Sequence, residues 1–182
     1  MQTATMTEEE VILVDEQDRA QGTAGKMKAH EQALLHRAFS VFVFNKKGEM
    51  LLQQRALHKY HSGGLWTNTC CSHPRPDEDT GLAAERRLQE EMGFVLPLKK
   101  VFDFIYKADF DNGLTEYEFD HVFVAEYEGP VKINPEEVMG FEYRRMNEIA
   151  DDMQSNPGQY TAWFRLAFPK IRDWWKQQYD KK

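Results

Sequence analysis

Short runs of apolar residues, broken by turn-forming residues, dominate the first third of the chain. One run spans residues 11–14, and a longer run, rich in Phe, Val and Ala, spans residues 34–44. Apolar runs bounded by turn signals are typical of buried strands. Residues 45–48, Asn-Lys-Lys-Gly, predict a hairpin turn that leads into a further strand at residues 50–55.

The middle of the chain predicts a short strand followed by a helix. Two glycines at residues 63–64 mark a loop that leads into an extended segment at residues 65–71. Asp79 or Thr80 is suited to be the N-cap of a helix, and Gly93 is suited to close it. The apolar positions of this helix are only loosely periodic, and they are Leu82, Ala84, Leu88 and Met92.

A second hairpin is predicted further along the chain. Strand patterns at residues 101–110 and 115–127 flank the triplet Asp111-Asn112-Gly113. Asn and Gly tolerate positive φ, which tight hairpin turns require. After this hairpin we expect a strand at residues 140–146.

The C-terminal part of the chain predicts helices. Asn147 is expected to cap a short helix, and residues 160–179 predict a longer helix that Pro169 interrupts, because proline lacks an amide donor. Mixed strands with one central helix and one terminal helix predict an α/β or α+β fold, a mixed β-sheet sandwich flanked by helices. No Gly-x-Gly-x-x-Gly or phosphate-loop motif is present, which argues against a dinucleotide-binding fold.

Length and composition place this fold in one domain. A chain of 182 residues with 41% hydrophobic residues can bury a single core. We expect one domain over residues 1–182, with a short polar extension at about residues 1–10 and a helical segment at about residues 147–180.

Charge and cysteine content limit the partners and the cellular compartment that we expect. A net charge of -7 argues against a nucleic-acid partner, and the chain contains no apolar run long enough to span a membrane. The polar start lacks the features of a secretory signal. The two cysteines, Cys70 and Cys71, are adjacent and therefore unsuited to a disulfide framework. We expect a monomer in the cytoplasm.

Two carboxylates stand out in the second hairpin. Residues two apart on a strand share a face, so Glu116 and Glu118 project together, with Tyr117 and Phe119 on the opposite side. One interpretation is a solvated edge strand that also exposes Asp120. The other is a site for a divalent transition metal such as Zn or Mn, formed with three imidazoles. Those imidazoles belong to His30, His36 and His73.

The remaining histidines carry less information. A lone histidine is usually a surface or hydrogen-bonded residue, and we interpret His58, His61 and His121 in this way. Cys70 is expected to act as a small buried hydrophobe, which leaves Cys71 on the same side of an extended segment as His73. A thiol near a metal or near cationic groups can have a lowered pKa and exchange protons close to neutral pH.

The segment from Gly81 to Phe94 looks like a variant of the Nudix box, Gly-x5-Glu-x7-Arg-Glu-U-x-Glu-Glu-x-Gly-U, in which U is bulky and aliphatic. Arg86, Glu90, Glu91 and Gly93 match the pattern, whereas Arg87 occupies the position of a glutamate. Further motifs match a single family within this superfamily. They are Thr-Asn-Thr-Cys-Cys-Ser-His-Pro at residues 67–74, Arg55-Ala56, Glu116-Tyr117-Glu118 and Trp163. With them, the chain closely resembles the type 1 isopentenyl-diphosphate delta-isomerases over nearly its whole length.

The resemblance implies two metal sites. The residues that match the family's ligands of one ion, which is Zn, Mn or Mg, are His30, His36, His73, Glu116 and Glu118. Glu91 matches the glutamate that helps to hold a second ion, Mg, which bridges to the substrate diphosphate.

The resemblance also implies the residues that bind and convert the substrate. The residues that match the basic groups holding the phosphates are Lys26, Arg55, Lys59 and Arg87. Cys71 and Glu118 match the catalytic pair, Tyr106 matches a tyrosine bonded near the catalytic carboxylate, and Trp163 matches an aromatic wall over the hydrocarbon. Without the resemblance, Lys26 and Lys59 are equally suited to solvent exposure, and Trp163 to packing of the terminal helices.

The implied activity is the reversible allylic proton shift that converts isopentenyl diphosphate to dimethylallyl diphosphate in isoprenoid biosynthesis. One alternative is a Nudix-type hydrolase of nucleoside diphosphate derivatives, and Arg87 in place of a box glutamate counts against it. Another is a noncatalytic domain that binds metal or a phosphorylated ligand. The presence of both Cys71 and Glu118 counts against that domain.

Overall fold

Every strand in the described part of the chain belongs to one branched, mixed β-sheet. The computed structural model describes residues 9–179. The strands are β1 (Glu10–Val14), β2 (Ala20–Gly25), β3 (His36–Phe44), β4 (Met50–Arg55), β5 (Trp66–Thr67), β6 (Cys70–Ser72), β7 (Lys99–Asp109), β8 (Thr115–Glu126) and β9 (Val138–Arg144). The helices are α1 (Lys26–Glu31), α2 (Thr80–Met92), α3 (Met146–Ser155) and α4 (Ala162–Tyr179), with a 3₁₀ turn at Pro157–Gln159.

Strand β3 connects the two parts of the sheet. It runs parallel to β8 from the pair His36 and Glu118 to the pair Phe44 and Glu126, and β7 extends this part of the sheet as the predicted hairpin partner of β8. Antiparallel to β3 lie β1, β4 and β6. The β4 strand continues the sheet on its other side, where it pairs with β5 and β9.

The alternating side chains of β3 enter two different cores. Val41 and Val43 pack with Leu88 of α2 on one face of the sheet. Phe42 and Phe44 pack on the opposite face, in a core to which α3 and α4 contribute. Successive residues of a strand point to opposite faces, so one apolar strand can serve both layers. The predicted mixed sheet with helices on both faces is confirmed, and the fold is α+β.

Helix α2 has the predicted caps. The Asp79 carboxylate accepts hydrogen bonds from the amides of Gly81 at 2.9 Å and Leu82 at 3.0 Å, and Gly93 closes the helix with φ of +77°. Only glycine adopts this conformation at low cost. The prediction that Leu82 belongs to the apolar face is wrong, because its side chain is 63% exposed and Ala83 is buried in its place.

Three predictions for other elements are also wrong. Helix α4 is continuous through Pro169, because the flanking residues Phe168 and Ile171 are fully packed and hold the helix where one amide donor is lost. Helix α3 begins after Arg145 rather than Asn147, and the amide of Arg145 donates to the Glu148 carboxylate at 3.2 Å. The segment at residues 65–71 is two short strands rather than one.

Strand β2 and helix α1 were not predicted, because their sequences lack an apolar period. Of the described helices, none combines the length and the apolarity needed to cross a lipid bilayer.

Candidate active site

One cavity brings together the residues that the sequence singled out. All of the expected catalytic and substrate-binding side chains lie on its walls, and they belong to Lys26, Arg55, Lys59, Cys71, Arg87, Tyr106, Glu118 and Trp163. Among the expected metal ligands, those that also line it are His73, Glu91 and Glu116. His30 and His36 are fully buried next to this wall.

Cys71 is positioned by a string of buried polar residues. The Thr69 hydroxyl donates to the carbonyl of Leu51 at 2.6 Å and accepts from the amide of Val43 at 2.9 Å. The Asn68 side-chain amide donates to the carbonyl of Cys70 at 2.8 Å. These bonds fix the link between β5 and β6 to both neighbouring strands. As predicted, the side chain of Cys70 enters the core beneath α2, and that of Cys71 faces the cavity.

The paired carboxylates are buried on a central strand. Glu116 is 5% exposed and Glu118 is 6% exposed, because β8 lies between β7 and β3. The interpretation of a solvated edge strand is therefore wrong, and Asp120 is buried as well. The phenol oxygen of Tyr106 lies 2.5 Å from Oε2 of Glu118 and 3.1 Å from Oε2 of Glu116, so one hydroxyl serves both carboxylates.

The three expected imidazoles converge on Glu118. Nδ1 of His30 lies 2.6 Å from the carbonyl oxygen of Lys26, and Nδ1 of His36 lies 2.8 Å from that of Leu34. A carbonyl oxygen can only accept, so each Nδ1 carries the proton and each Nε2 keeps its lone pair. This tautomer leaves Nε2 free to bind a metal.

The spacing of these donor atoms fits a metal ion. Nε2 of His36 lies 3.2 Å from Nε2 of His73, and both lie near Oε1 of Glu118, at 3.5 and 2.9 Å. Lone pairs crowded in this way repel one another unless a cation lies among them. Ligands at about 2.1 Å from one ion are roughly 3 Å apart when adjacent. Nε2 of His30 is buried and has no hydrogen-bond partner among the described residues.

The expected ligands form two overlapping groups. Donor atoms of His30, His36, His73 and Glu118 all lie within 4.8 Å of one another. Glu116 instead groups with His30 and with His61. The side chain of His61 is buried in the cavity wall with Nδ1 3.3 Å from the hydroxyl of Ser62, so it is a hydrogen-bonded residue rather than a surface residue. His121, by contrast, lies 3.0 Å from Asp18, outside the cavity wall.

Burial sets the protonation of the site. Burial and the neighbouring Glu118 charge raise the pKa of Glu116 well above its usual range. Burial also opposes ionisation of Glu118, but the proximity of the imidazoles of His36 and His73 holds its pKa well below the usual range. Burial lowers the pKa of His73 to about 4. Without an added cation, the two glutamates therefore share one negative charge.

Cys71 is a thiol near neutral pH. Burial raises its pKa, and the positive charge of Arg55 offsets this only in part. In the absence of a metal ion, Arg55 therefore does not lower the pKa of Cys71 below the usual range of a thiol. A neutral thiol in a cavity is a proton donor, whereas the ionised Glu118 of the same cavity is a proton acceptor.

Four cationic side chains line the same cavity, and three of them lie beside a carboxylate. Nζ of Lys26 lies 3.0 Å from Glu9, and Nζ of Lys59 is paired with Glu137. Both lysine side chains are largely buried, at 19% and 22% exposed, so the solvated alternative is wrong for both. Nη2 of Arg87 lies 2.6 Å from Glu91 and 3.3 Å from Glu137. A ligand with several negative charges can replace these partners.

Trp163 belongs both to the core and to the wall of the cavity. It is 3% exposed and packs in the core with the terminal helices, and its ring also forms part of the cavity wall. The guanidinium of Arg55 lies 5.0 Å from the ring centroid.

Glu91 is held by Gln53, whose side-chain amide donates to Oε2 at 2.8 Å, and by Arg87.

Sequence reasoning missed several residues of the cavity, among them the titratable residues His61 and Glu137. Glu137 directly precedes β9, far along the chain from Lys59 and Arg87, and no local pattern marks it. His61 lies two residues after Lys59, and this proximity to an expected phosphate-binding residue was the only available signal.

Comparisons with known proteins show which sequences resemble this chain. A family model described as the NUDIX domain matches residues 34–164. The isopentenyl-diphosphate Delta-isomerase of Pectobacterium atrosepticum is 50% identical over 167 residues, which cover 92% of this chain and 93% of that protein. Isopentenyl-diphosphate Delta-isomerase 2 of Aromatoleum aromaticum is 48% identical, with 90% and 87% covered.

Solved structures match the fold at lower identity. A crystal structure of a Deinococcus radiodurans protein is similar with a TM-score of 0.68 at 17% identity, covering 81% of this chain and 90% of that one. A MutT protein of Methanosarcina mazei is similar with a TM-score of 0.63 at 18% identity, covering 76% and 94%.

Proposed function

Because the chain belongs to the Nudix family and, within it, to the isopentenyl-diphosphate Delta-isomerases, we propose that a thiol and a carboxylate facing one cavity convert isopentenyl diphosphate to dimethylallyl diphosphate. The protein is an enzyme of this activity, with a close set of relatives that are isomerases rather than hydrolases. The assignment of residues is supported by the presence of Cys71, Tyr106 and Glu118 on one cavity that is also lined by four cationic side chains.

The reaction moves a double bond by one carbon without a net change in composition. A proton adds to the terminal alkene carbon, which gives a state that resembles a tertiary cation at the internal alkene carbon. Another proton then leaves the methylene bonded to that internal carbon. Cys71 supplies or receives one of these protons, and Glu118 with Tyr106 handles the other. Which group acts first depends on the direction, because the reaction is reversible.

The cationic state must be protected from water. The walls around Cys71 and Glu118 are buried, and Trp163 is an aromatic surface beside them. An indole face stabilises positive charge by about 0.5 to 2 kcal/mol. The negative charge of Glu118 stabilises the same cationic state, and exclusion of solvent strengthens both effects.

The diphosphate binds to the cationic side chains of the cavity. Lys26, Lys59 and Arg87 exchange their carboxylate partners for phosphate oxygens, and Arg55 lines the same cavity. Such remote interactions hold the hydrocarbon in place for the proton steps. Glu91 would hold Mg beside the diphosphate, since carboxylate and phosphate oxygens are the ligands that Mg prefers.

A second divalent ion fits the cluster of imidazoles and carboxylates. His30, His36, His73 and Glu118 would hold Zn, Mn or Mg, with Glu116 completing the set. When bound, the ion supplies positive charge that keeps the glutamates ionised. Around it, the residues of the chain orient Glu118 and keep Tyr106 within hydrogen-bond distance of both carboxylates.

The proposal extends to the setting of the protein, which we propose to be a single-domain monomer that acts in the cytoplasm. A reducing compartment suits a site in which Cys71 must remain a thiol next to Cys70. Its substrate is a small isoprenoid diphosphate, for which the cavity offers both an aromatic wall and cationic side chains.

Proton NMR of the purified protein with isopentenyl diphosphate and Mg tests the activity. We expect signals of the dimethylallyl isomer and no release of inorganic phosphate. Phosphate release without the isomer would favour a hydrolase. No reaction by protein that binds metal would favour a noncatalytic domain.

A further inference from the structure

His61 is a fourth imidazole in the wall of the cavity and has no role in the proposed function. Its side chain is 8% exposed, and its ring is stacked on Phe110 with the ring centroids 4.7 Å apart. The edge of the Trp163 ring system faces it at a centroid distance of 5.7 Å. These contacts leave the imidazole little freedom to turn.

The two nitrogens of this ring face different partners. Nε2 lies 3.4 Å from Oε1 of Glu116, and Nδ1 lies 3.3 Å from the hydroxyl of Ser62. A hydroxyl that donates to Nδ1 leaves the ring proton on Nε2, the nitrogen that lies near the carboxylate.

Glu116 is therefore approached from both sides. Its Oε2 lies 3.1 Å from the hydroxyl of Tyr106, and its Oε1 faces His61. A carboxylate with a partner on each oxygen has one orientation, whereas a carboxylate with a single partner can rotate.

We infer that His61 is a positioning residue of the metal centre, which holds Glu116 in its ligating orientation through Nε2. This inference rests on the proposed function, because it requires that the cluster of histidines and glutamates binds an ion. Nothing in the pattern of the Nudix box or of the neighbouring motifs points to His61.

A direct ligand role for His61 is less compatible with the geometry. His61 shares a possible donor group with His30 and Glu116. Nδ1 of His30 is bonded to the carbonyl of Lys26, so His30 has one free lone pair and can bind one ion. That lone pair also belongs to the group with His36, His73 and Glu118. The larger group offers more donors, so the ion binds there and His61 contacts it only through Glu116.

Replacement of His61 should therefore change the affinity of the metal centre for its ion. Loss of a hydrogen-bonding partner of a metal ligand typically weakens metal binding by about 10- to 100-fold. His61→Phe keeps a ring against Phe110 and Trp163 but removes the donor. His61→Gln keeps a donor without the ring. His58→Gln is a matched control, since His58 is exposed and lies near Glu136, outside the cavity wall.

The experiment titrates Co²⁺ and Zn²⁺ into the full chain after chelator treatment, with a competing chelator to measure the dissociation constants. We expect about 10- to 100-fold weaker binding by His61→Phe, partial recovery in His61→Gln and an unchanged constant in His58→Gln. The Co²⁺ absorption spectrum should keep the same coordination number in every variant. If circular dichroism shows that His61→Phe is unfolded, His61→Asn, whose amide is too short to reach Glu116, replaces it with the same expected result.

Two results would overturn the inference. An unchanged constant in His61→Phe would remove His61 from the metal centre, and a Co²⁺ spectrum with a lower coordination number would make it a direct ligand. Failure of the proposed metal centre is a distinguishable result, because in that case the wild-type chain itself would bind no ion, and failure of the proposed isomerisation is seen separately as absence of the dimethylallyl isomer.

Discussion

His36 and Glu118 are directly paired across the parallel strands β3 and β8, and Nε2 of the histidine lies 3.5 Å from Oε1 of the glutamate. The two residues are far apart in the sequence and meet at one end of the pairing between β3 and β8. His73 approaches the same oxygen at 2.9 Å from the end of β6. The fold of the central strand therefore assembles the candidate metal centre.

Replacement of His36 by Ala should empty this centre. The change removes one of the donors around Glu118 and leaves a carboxylate and two imidazoles, so metal binding weakens. Elemental analysis of the purified variant should show less bound metal per chain than in the wild type. His121→Gln is the control, because this histidine lies near Asp18 instead. Unchanged stoichiometry in His36→Ala would exclude it as a needed ligand.

Local signals in the sequence predicted several elements correctly. Asp79 and Gly93 mark the ends of α2 because capping chemistry acts within a few residues, and the turn around Gly113, with φ of +82°, follows from the same kind of local preference. The prediction that Glu116 and Glu118 share one face of the strand was correct, because the two-residue period of a strand is also local.

Nonlocal features could not be predicted in this way. The parallel pairing of His36 with Glu118 depends on which strands the whole chain places side by side, and no window of sequence contains both. The raised pKa of Cys71 depends on burial by distant elements, and Pro169 is tolerated in α4 because of packing around it. The resemblance to a family supplied most of the site residues, whereas His61 and Glu137 required the structure.

Trp163→Leu should slow the reaction while it preserves the fold. Leucine retains apolar packing but has no aromatic face, so a cationic state loses about 0.5 to 2 kcal/mol of stabilisation, which corresponds to roughly a 2- to 30-fold lower kcat. Steady-state kinetics measures this change. Trp174→Leu is the control, because Trp174 packs on the same core but does not line this cavity. An unaltered kcat in Trp163→Leu would show that the indole serves only packing.

Arg87→Gln should weaken substrate binding, whereas Arg86→Gln should not. Arg87 lines the cavity, whereas the adjacent Arg86 is paired with Glu78 outside it. Loss of a charged phosphate contact costs about 1.5 to 3 kcal/mol, so we expect KM for the diphosphate to rise roughly 10- to 100-fold in Arg87→Gln. KM should stay near the wild-type value in Arg86→Gln. Equal effects of the two changes would contradict the assignment of Arg87.

The contribution of Glu78 to stability should depend on pH. Hydrogen bonds from the Arg86 guanidinium, at 2.7 and 2.9 Å, hold the pKa of Glu78 below its usual range. A lowered folded-state pKa gives stability that is present above the unfolded-state pKa of about 4.3 and is lost as the pH falls through the folded-state value. Glu78→Gln should therefore cost about 1 kcal/mol at pH 7 and much less near pH 3.

Urea denaturation at both pH values measures this difference. Glu128→Gln is the matched control, because Glu128 pairs with the exposed Lys46 and such pairs contribute little. A destabilisation of Glu78→Gln that is equal at pH 7 and pH 3 would mean that the ion pair is not its cause.

The most direct test of the thiol and carboxylate pair compares Cys71→Ala with Cys70→Ala in deuterated water, with isopentenyl diphosphate and Mg. Cys71 faces the cavity and Cys70 faces the opposite core, so adjacent changes of the same size act on different sides of the sheet. Proton NMR should show the dimethylallyl isomer with deuterium incorporated for the wild type and for Cys70→Ala. For Cys71→Ala we predict a rate lower by about 10²- to 10⁴-fold, with unchanged fold and metal content. Turnover near the wild-type rate in Cys71→Ala would contradict the account and remove the thiol from the mechanism.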